Sequence, residues 1–388
     1  MWFAYYIIGS VLFFSFLFYS VNGWKRSIRD ILYLFFTFFP LLLFSSLRYP
    51  KYGTDTYVYS DMFGVFAHGN YAFYENPYTY EAGFMLLSKI ISLMTSNFQM
   101  FLLALNLFYI WSCVCFIRKY SSSVWLSVFL FVGMGFFDQS MNVLRQFFAL
   151  SIILWAYRFF DQSMNVLRQF FALSIILWAY RYLDRRVIGK FLLLVIFASL
   201  FHLSSIIFIV MIWIDRIPLN RKVFLGYLAI LLISFAFSGK ILQFVLMEFG
   251  VYGQYLMSSD FGIVEESKLA SVLHLLVDIA VLCFCFWGWG NVAVRTRGNI
   301  LMVKLLMVSS IFWALATNLG VLGRITAYFD IFAIVLLPNV LFSLGNNTNK
   351  LISVIMIVSL FVMKYFVISY LRPEWFGIYP YHFYFEYL

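Results

Sequence analysis

Four arginine positions, one histidine and a few acids and amides stand in a sequence that otherwise leaves little room for charge. Arg48 opens LRYPKYGTDTYVYSDMF, which also holds Asp55, and Glu81 lies in YTYEAGFMLL. Asn142, Arg145 and Gln146 recur as Asn165, Arg168 and Gln169, because Phe136–Arg158 is repeated letter for letter as Phe159–Arg181. His202 stands in FHLSSIIFI, Arg324 in GRITAYFD and Arg372 in YLRPEW. A guanidinium is a permanently charged fork that grips two phosphate oxygens at once. Histidine titrates near neutral pH, so His202 is a candidate base for a hydroxyl proton. Convergence of Arg48, Arg145 or Arg168, Arg324 and Arg372 at one membrane surface predicts an anion site for a phosphorylated lipid. The competing reading is structural: Asp138, one to two turns from Arg145, would simply neutralise a buried arginine.

The elements that must position these groups follow from composition. Of 388 residues, 64% are hydrophobic and 11% charged, whereas a soluble domain carries about 25% charged residues. Apolar runs such as Trp2–Val21, Leu269–Trp287 and Leu351–Tyr370 are long enough to span a ~30 Å hydrocarbon core. They lack the period of two expected of outer-membrane strands. The sequence therefore predicts an all-α polytopic integral membrane protein forming one membrane domain, with about twelve transmembrane helices. Trp2–Val21 has neither a basic leader nor a small-x-small cleavage site, so it reads as a helix rather than a signal peptide. Cys113, Cys115, Cys283 and Cys285 lie inside apolar runs and read as core residues. No metal, cofactor or nucleic-acid motif occurs, and the net charge of +10 is scattered between helices rather than gathered in a patch.

Charge assigns a side to each connection. Lys25, Arg26 and Arg29, then Arg118 and Lys119, then Arg181, Arg185, Arg186 and Lys190 mark cytoplasmic turns; Arg216, Arg221 and Lys222, Arg295 and Arg297, and Lys350 continue the series. Nearly every carboxylate is expected on the opposite face, in loops 48–80 and 240–268 and in the tail 371–388, which places both termini outside. Glu81–Thr95 is short and carries Lys89, which predicts an external amphipathic or re-entrant helix. Phe191–Ile214 has basic residues at both ends. It reads as two short helices meeting at Phe201-His202, or alternatively as one tilted crossing. His274 and Asp278, one turn apart, read as a local pair.

RYPKYGTDTYVYSDMF, YEAGFMLLSKI, MNVLRQFFALSIILWAYRYL, FHLSSIIFI, YGQYL and GRITAYFD, in that order, resemble the EpsG/Wzy family of polysaccharide repeat-unit polymerases. The resemblance spans roughly Arg48 to Pro338. It implies a glycosyltransferase of the bacterial inner membrane with its active site facing the periplasm and no cofactor. Such an enzyme moves a growing O-antigen or capsular glycan from undecaprenyl diphosphate onto a lipid-linked repeat unit, alongside a flippase and a chain-length regulator. The resemblance implies that Arg145 or Arg168 and Arg324 hold the diphosphate, with His202 or Asp55 activating the acceptor hydroxyl. Glu81 and the Asn and Gln of the repeat would line the same mouth. Rival readings are a lipid-linked oligosaccharide flippase, expected to show pseudo-symmetric halves and midplane polar residues, an O-antigen ligase, and more remotely a membrane O-acyltransferase.

The duplication over 136–181 departs from that pattern, where one Asn-x-x-Arg-Gln helix is expected. Repeats that build folds diverge and come in several copies, so two identical copies point to a recent duplication or an artefact. One copy suffices for the expected topology, and Arg168 is the better candidate because its copy runs directly into the basic YLDRRVIGK.

Overall fold

The computed structural model describes residues 2–21, 23–49, 56–68, 81–141, 166–240, 264–288, 295–318, 322–371 and 381–387. Among them the chain is helical, with no strand beyond one isolated bridge between Arg48 and Phe383. Seven helices are long and apolar enough to cross a membrane, and Ala82–Met94, Val124–Gly133 and Ile188–Ser199 are shorter apolar helices. The chain is an all-α polytopic membrane protein. It divides into two compact units, one comprising 1–182, 189–206 and 351–388, the other 183–188 and 207–350.

Unit 1 holds α1 (Trp2–Tyr19), α2 (Arg26–Ser46), α3 (Thr56–Ala67), α4 (Ala82–Met94), α5 (Phe98–Tyr120), α6 (Val124–Gly133), α7 (Phe136–Met141), α8 (Val166–Asp184) and α9 (Ile188–Ser199). The ends of α8 and α9 lie at the boundary with the second unit. Helices α2 and α5 run antiparallel: Gln99 Nε2 donates to the Arg48 carbonyl at one end, and Arg26 Nη2 to that of Ser122 at the other. Helix α8 runs parallel to α5, since Phe171 stacks on Phe108 and Tyr180 packs edge-on to Phe116. One end of the unit therefore gathers the starts of α5 and α8 with the end of α2. The other gathers Arg26, Arg29, Arg118, Lys119 and Arg181. The chain ends join the first group, because Trp2 stacks on Phe383 and Phe3 on Tyr381.

Segregation of charge is one of excess rather than of every carboxylate. Asp30 sits at the basic end, accepting from Tyr19 Oη at 2.8 Å and lying 3.7 Å from Arg26. An acid beside several cations is stabilised there by its neighbours, so a basic turn tolerates it. The same holds for Asp215 beside Arg297 in the other unit, 2.7 Å away.

Two irregular elements match the sequence reading. Helix α4 has 13 residues and reaches only ~20 Å, short of a hydrocarbon core. The stretch expected to break at Phe201-His202 does so: α9 stops at Ser199, and a 3-10 segment starts at Leu203 and runs to Val210.

Unit 2 is built around α13 (Arg297–Ala316). Packed against it are α10 (Met211–Arg216), α11 (Arg221–Ala236), α12 (Val264–Trp287), α14 (Leu322–Asp330) and α15 (Ala333–Ser343). Leu301, Leu305 and Leu306 of α13 are fully buried or nearly so. The last long helix, α16 (Asn347–Leu371), belongs mostly to unit 1. Its Phe361 packs on Gly133, where a Cβ would come within 3.0 Å.

Candidate functional site

Glu81 occupies the position before the first turn of α4, and its side chain makes no capping bond to that helix. Its carboxylate therefore turns elsewhere. Two residues on, the Gly83 amide donates to the Leu200 carbonyl at 3.0 Å, and a Cβ on Gly83 would lie 2.8 Å from that oxygen and 2.9 Å from Leu200 Cβ. Glycine is what lets the start of α4 dock on the turn after α9. That turn is fixed in its own right, as the amides of Phe201 and His202 donate back to the Ala198 carbonyl. Phe201 packs on Phe171, one turn below Arg168 on α8, with ring centroids 4.7 Å apart.

Three chain segments thus meet around one carboxylate. Arg168 Nη1 donates to Glu81 Oε2. His202 Nδ1 lies 3.5 Å from Glu81 Oε1, an ion-pair distance long for a hydrogen bond, and the Leu203 amide donates to the same oxygen at 3.4 Å. The side chains of Arg168 and His202 are 5% and 7% exposed against 21% for Glu81, so the acid is the cluster's most accessible member. Removing an arginine from water costs several kcal/mol unless an opposite charge offsets it, which explains the pairing. The carboxylate that meets Arg168 comes from α4, not from its own helix. Asp138 lies in the first turn of α7, buried, with Tyr365 Oη 3.4 Å away. Gln169, the other repeat residue expected at the site, is buried beside Arg168.

Arg48 lies at the same end of unit 1, at 2% exposure. Its backbone is held by the bridge to Phe383, by Gln99 Nε2 and by flanking bonds from Tyr49 to His382 and from Tyr384 to Leu47. Its guanidinium Nε and Nη1 have no hydrogen-bond partner among the described residues. Burial pushes its pKa down to about 10, against the opposing pull of the Tyr381 and Tyr59 phenols, so it stays charged at neutral pH. A buried cation with unsatisfied donors is suited to an anionic oxygen.

Asp55, Asn142, Arg145, Gln146, Asn165 and Arg372 lie outside the described residues, as do loop 240–268 for the most part and most of the tail 371–388. Arg324 falls in the first turn of α14, in unit 2, and its side chain also lies outside the description. The residue that sequence reasoning missed is Gly83. Its signal was there in EAGF, a glycine where a helix starts, but the close approach that requires it comes from a segment more than a hundred residues away.

In unit 2, Asp330 closes α14 and is buried. It accepts from Ser309 Oγ and, at 2.9 Å, from Trp313 Nε1. His274, one turn before Asp278, stacks face to face on Trp313 at 4.4 Å.

A sequence model described as the EpsG family matches residues 31–162 and 157–383. The match breaks in two at the junction between the repeated copies, Arg158-Phe159. No curated protein and no solved structure matches the chain.

Proposed function

The chain belongs to the EpsG family, and from that premise we propose that it is a membrane glycosyltransferase of the polysaccharide-polymerase type. Its donor would be a glycan on undecaprenyl diphosphate and its acceptor the sugar of a lipid-linked repeat unit, with the reaction on the periplasmic face of the inner membrane. The observation that carries this reading is the Glu81–Arg168–His202 cluster, with Arg48 at the same end of the unit. In the reaction a bond forms between the acceptor hydroxyl oxygen and the donor's anomeric carbon, and the bond from that carbon to the diphosphate breaks. The leaving group is a dianion or more, so cations at that point lower the barrier. Arg168 and Arg48 supply them. His202 takes the hydroxyl proton, and Glu81 opposite its Nδ1 orients the ring and favours the imidazolium as it forms. Arg168 holds Glu81 in turn, until phosphate oxygens compete for its fork.

The test is the glycan made by a strain lacking the gene. A single repeat unit transferred to its acceptor, restored to polymer by the wild-type chain, is the expected result. Lipid-linked polymer accumulating without transfer would instead identify a ligase. Loss of all periplasmic repeat units would identify a flippase.

A further inference from the structure

At the end of unit 1 opposite the Glu81 cluster, the last turns of α5 and the end of α8 enclose an open cleft of ≈ 380 Å³. That lies within the ~300–1,000 Å³ range of small-ligand sites. Arg168 and Arg181 are thirteen residues apart on α8, or ~20 Å, so the cleft is separate from the cluster. Its walls are apolar, with Trp111, Leu177 and Trp178 prominent, and its cations are Arg118, Lys119 and Arg181. No carboxylate is among the lining residues. The Trp178 indole is pinned as a wall by its Nε1 donating to Ser112 Oγ at 3.0 Å. Trp111 is exposed, so the apolar wall runs out onto the open face of α5.

Two of the three cations at this cleft, Arg118 and Arg181, are not used up in ion pairs. No ion pair among the described residues engages Arg118 or Arg181, and Arg181 Nε is buried without a hydrogen-bond partner. By contrast, Arg297 at the start of α13 is matched by Asp215 and by the carbonyls of Leu183 and Asp184. An unmatched buried N–H asks for an oxygen from outside. Cations at the mouth of a slot whose walls are tryptophan and leucine ask for a ligand that is anionic at one end and apolar at the other. Indoles placed at helix ends suit the headgroup level of a bilayer, and basic pockets between membrane helices accept phosphate headgroups.

We propose that this cleft is a binding site for an anionic phospholipid, its phosphate on Arg118 and Arg181 and its upper acyl chain along Trp111 and Trp178. The site is independent of the glycan-transfer reading, since it uses none of the same residues.

The full chain, purified in detergent and stripped of lipid, is titrated with phosphatidylglycerol and separately with phosphatidylcholine, and bound lipid is counted by native mass spectrometry. Phosphatidylglycerol should bind in preference. Arg118→Gln with Arg181→Gln should weaken it by about tenfold or more, since each cation near a headgroup contributes on the order of a fivefold factor. Arg26→Gln with Arg29→Gln, at the same end but outside the cleft, should not. Phosphatidylglycerol should also raise the melting midpoint of the wild type and not that of the cleft variant, whose midpoint in phosphatidylcholine reports that it has folded. Equal binding of the two lipids, equal loss in both double variants, or competition by free glycerol phosphate as strong as by the lipid would each overturn the proposal.

Discussion

Glu81 in unit 1 and Asp330 in unit 2 are both acids set among apolar helices, but Glu81 is held by charges and Asp330 by neutral donors. Around Asp330 a hydroxyl and an indole supply hydrogens. Such a set is closed: it ties α13 to α14, with His274 of α12 stacked on the same Trp313, and has little to offer a ligand. Around Glu81 an arginine, a histidine and a backbone amide converge on one carboxylate that retains contact with the exterior. An incoming anion can exchange with Glu81 on Arg168, whereas nothing can replace Asp330 without breaking a helix contact. The difference separates a polar cluster built to lock from one able to open.

The largest effects should show where that comparison is sharpest. Arg168→Ala should reduce polymer by at least about a hundredfold, in the range of losing one preorganised donor to a developing anion. Asp330→Asn should retain most activity, because the amide oxygen still accepts from Trp313 Nε1 and the Ser309 hydroxyl can rotate to accept from the amide nitrogen. Asp330→Leu should cost folded protein instead, about 3 kcal/mol or more, by stranding those donors. Polymer length on a gel, normalised to membrane-inserted protein, measures both arms. Polymer lost with Asp330→Asn at full expression, or kept with Arg168→Ala, would reverse the roles of the two clusters.

A smaller effect is expected at Gly83. An alanine there meets backbone rather than a flexible side-chain tip, so α4 must back away from the turn after α9 at a cost of about 1–3 kcal/mol. Glu81 would move with it, loosening His202. Polymer yield from Gly83→Ala should fall by roughly tenfold. Gly226→Ala is the control, lying in a helix with nothing within 4 Å of the new Cβ, and it should leave yield unchanged. Equal yields from the two variants would detach the docking of α4 from the chemistry.

The contrast also explains what could be read from the sequence. The all-helical, membrane-spanning character follows from hydropathy, although about twelve crossings were expected and seven helices among the described residues are long and apolar enough to span. Arg168 and His202 stood out because charge inside an apolar run is expensive. The break at Phe201-His202 was legible from basic residues at both ends of one apolar stretch. What joins Glu81 to both was not, because the three lie far apart in the chain and nothing in their local spacing encodes a shared point. Asp138 was the nearer acid to the repeat's arginine, and proximity in sequence favoured it. The structure puts Asp138 in the first turn of α7 and Arg168 near the start of α8, on separate helices. Contacts one turn apart are cheap to propose, and contacts between helices decide.

The smallest effect should come from the largest change. The pieces of the repeat that the structure describes are Phe136–Met141 from the first copy and Val166–Arg181 from the second. With one asparagine between them they spell a single copy. Met141 ends α7 at the end of unit 1 where α8 begins: Tyr365, which meets Asp138, is next to Phe366, and Phe366 packs on Tyr5 near the start of α1. One copy therefore holds the whole of α7 and all but the last three residues of α8, and a chain with one copy needs only a turn at that asparagine. The family match is split at the same junction, as expected where one family segment is present twice. Removing 159–181, or any other 23 consecutive residues of the repeat, yields the same shortened chain. That chain should make polymer of wild-type length at wild-type yield, and Arg145→Ala in the full chain should likewise be silent. A shortened chain that inserts well and makes no polymer would mean that the second arginine of the pair works too, and that Glu81 holds only half of the site.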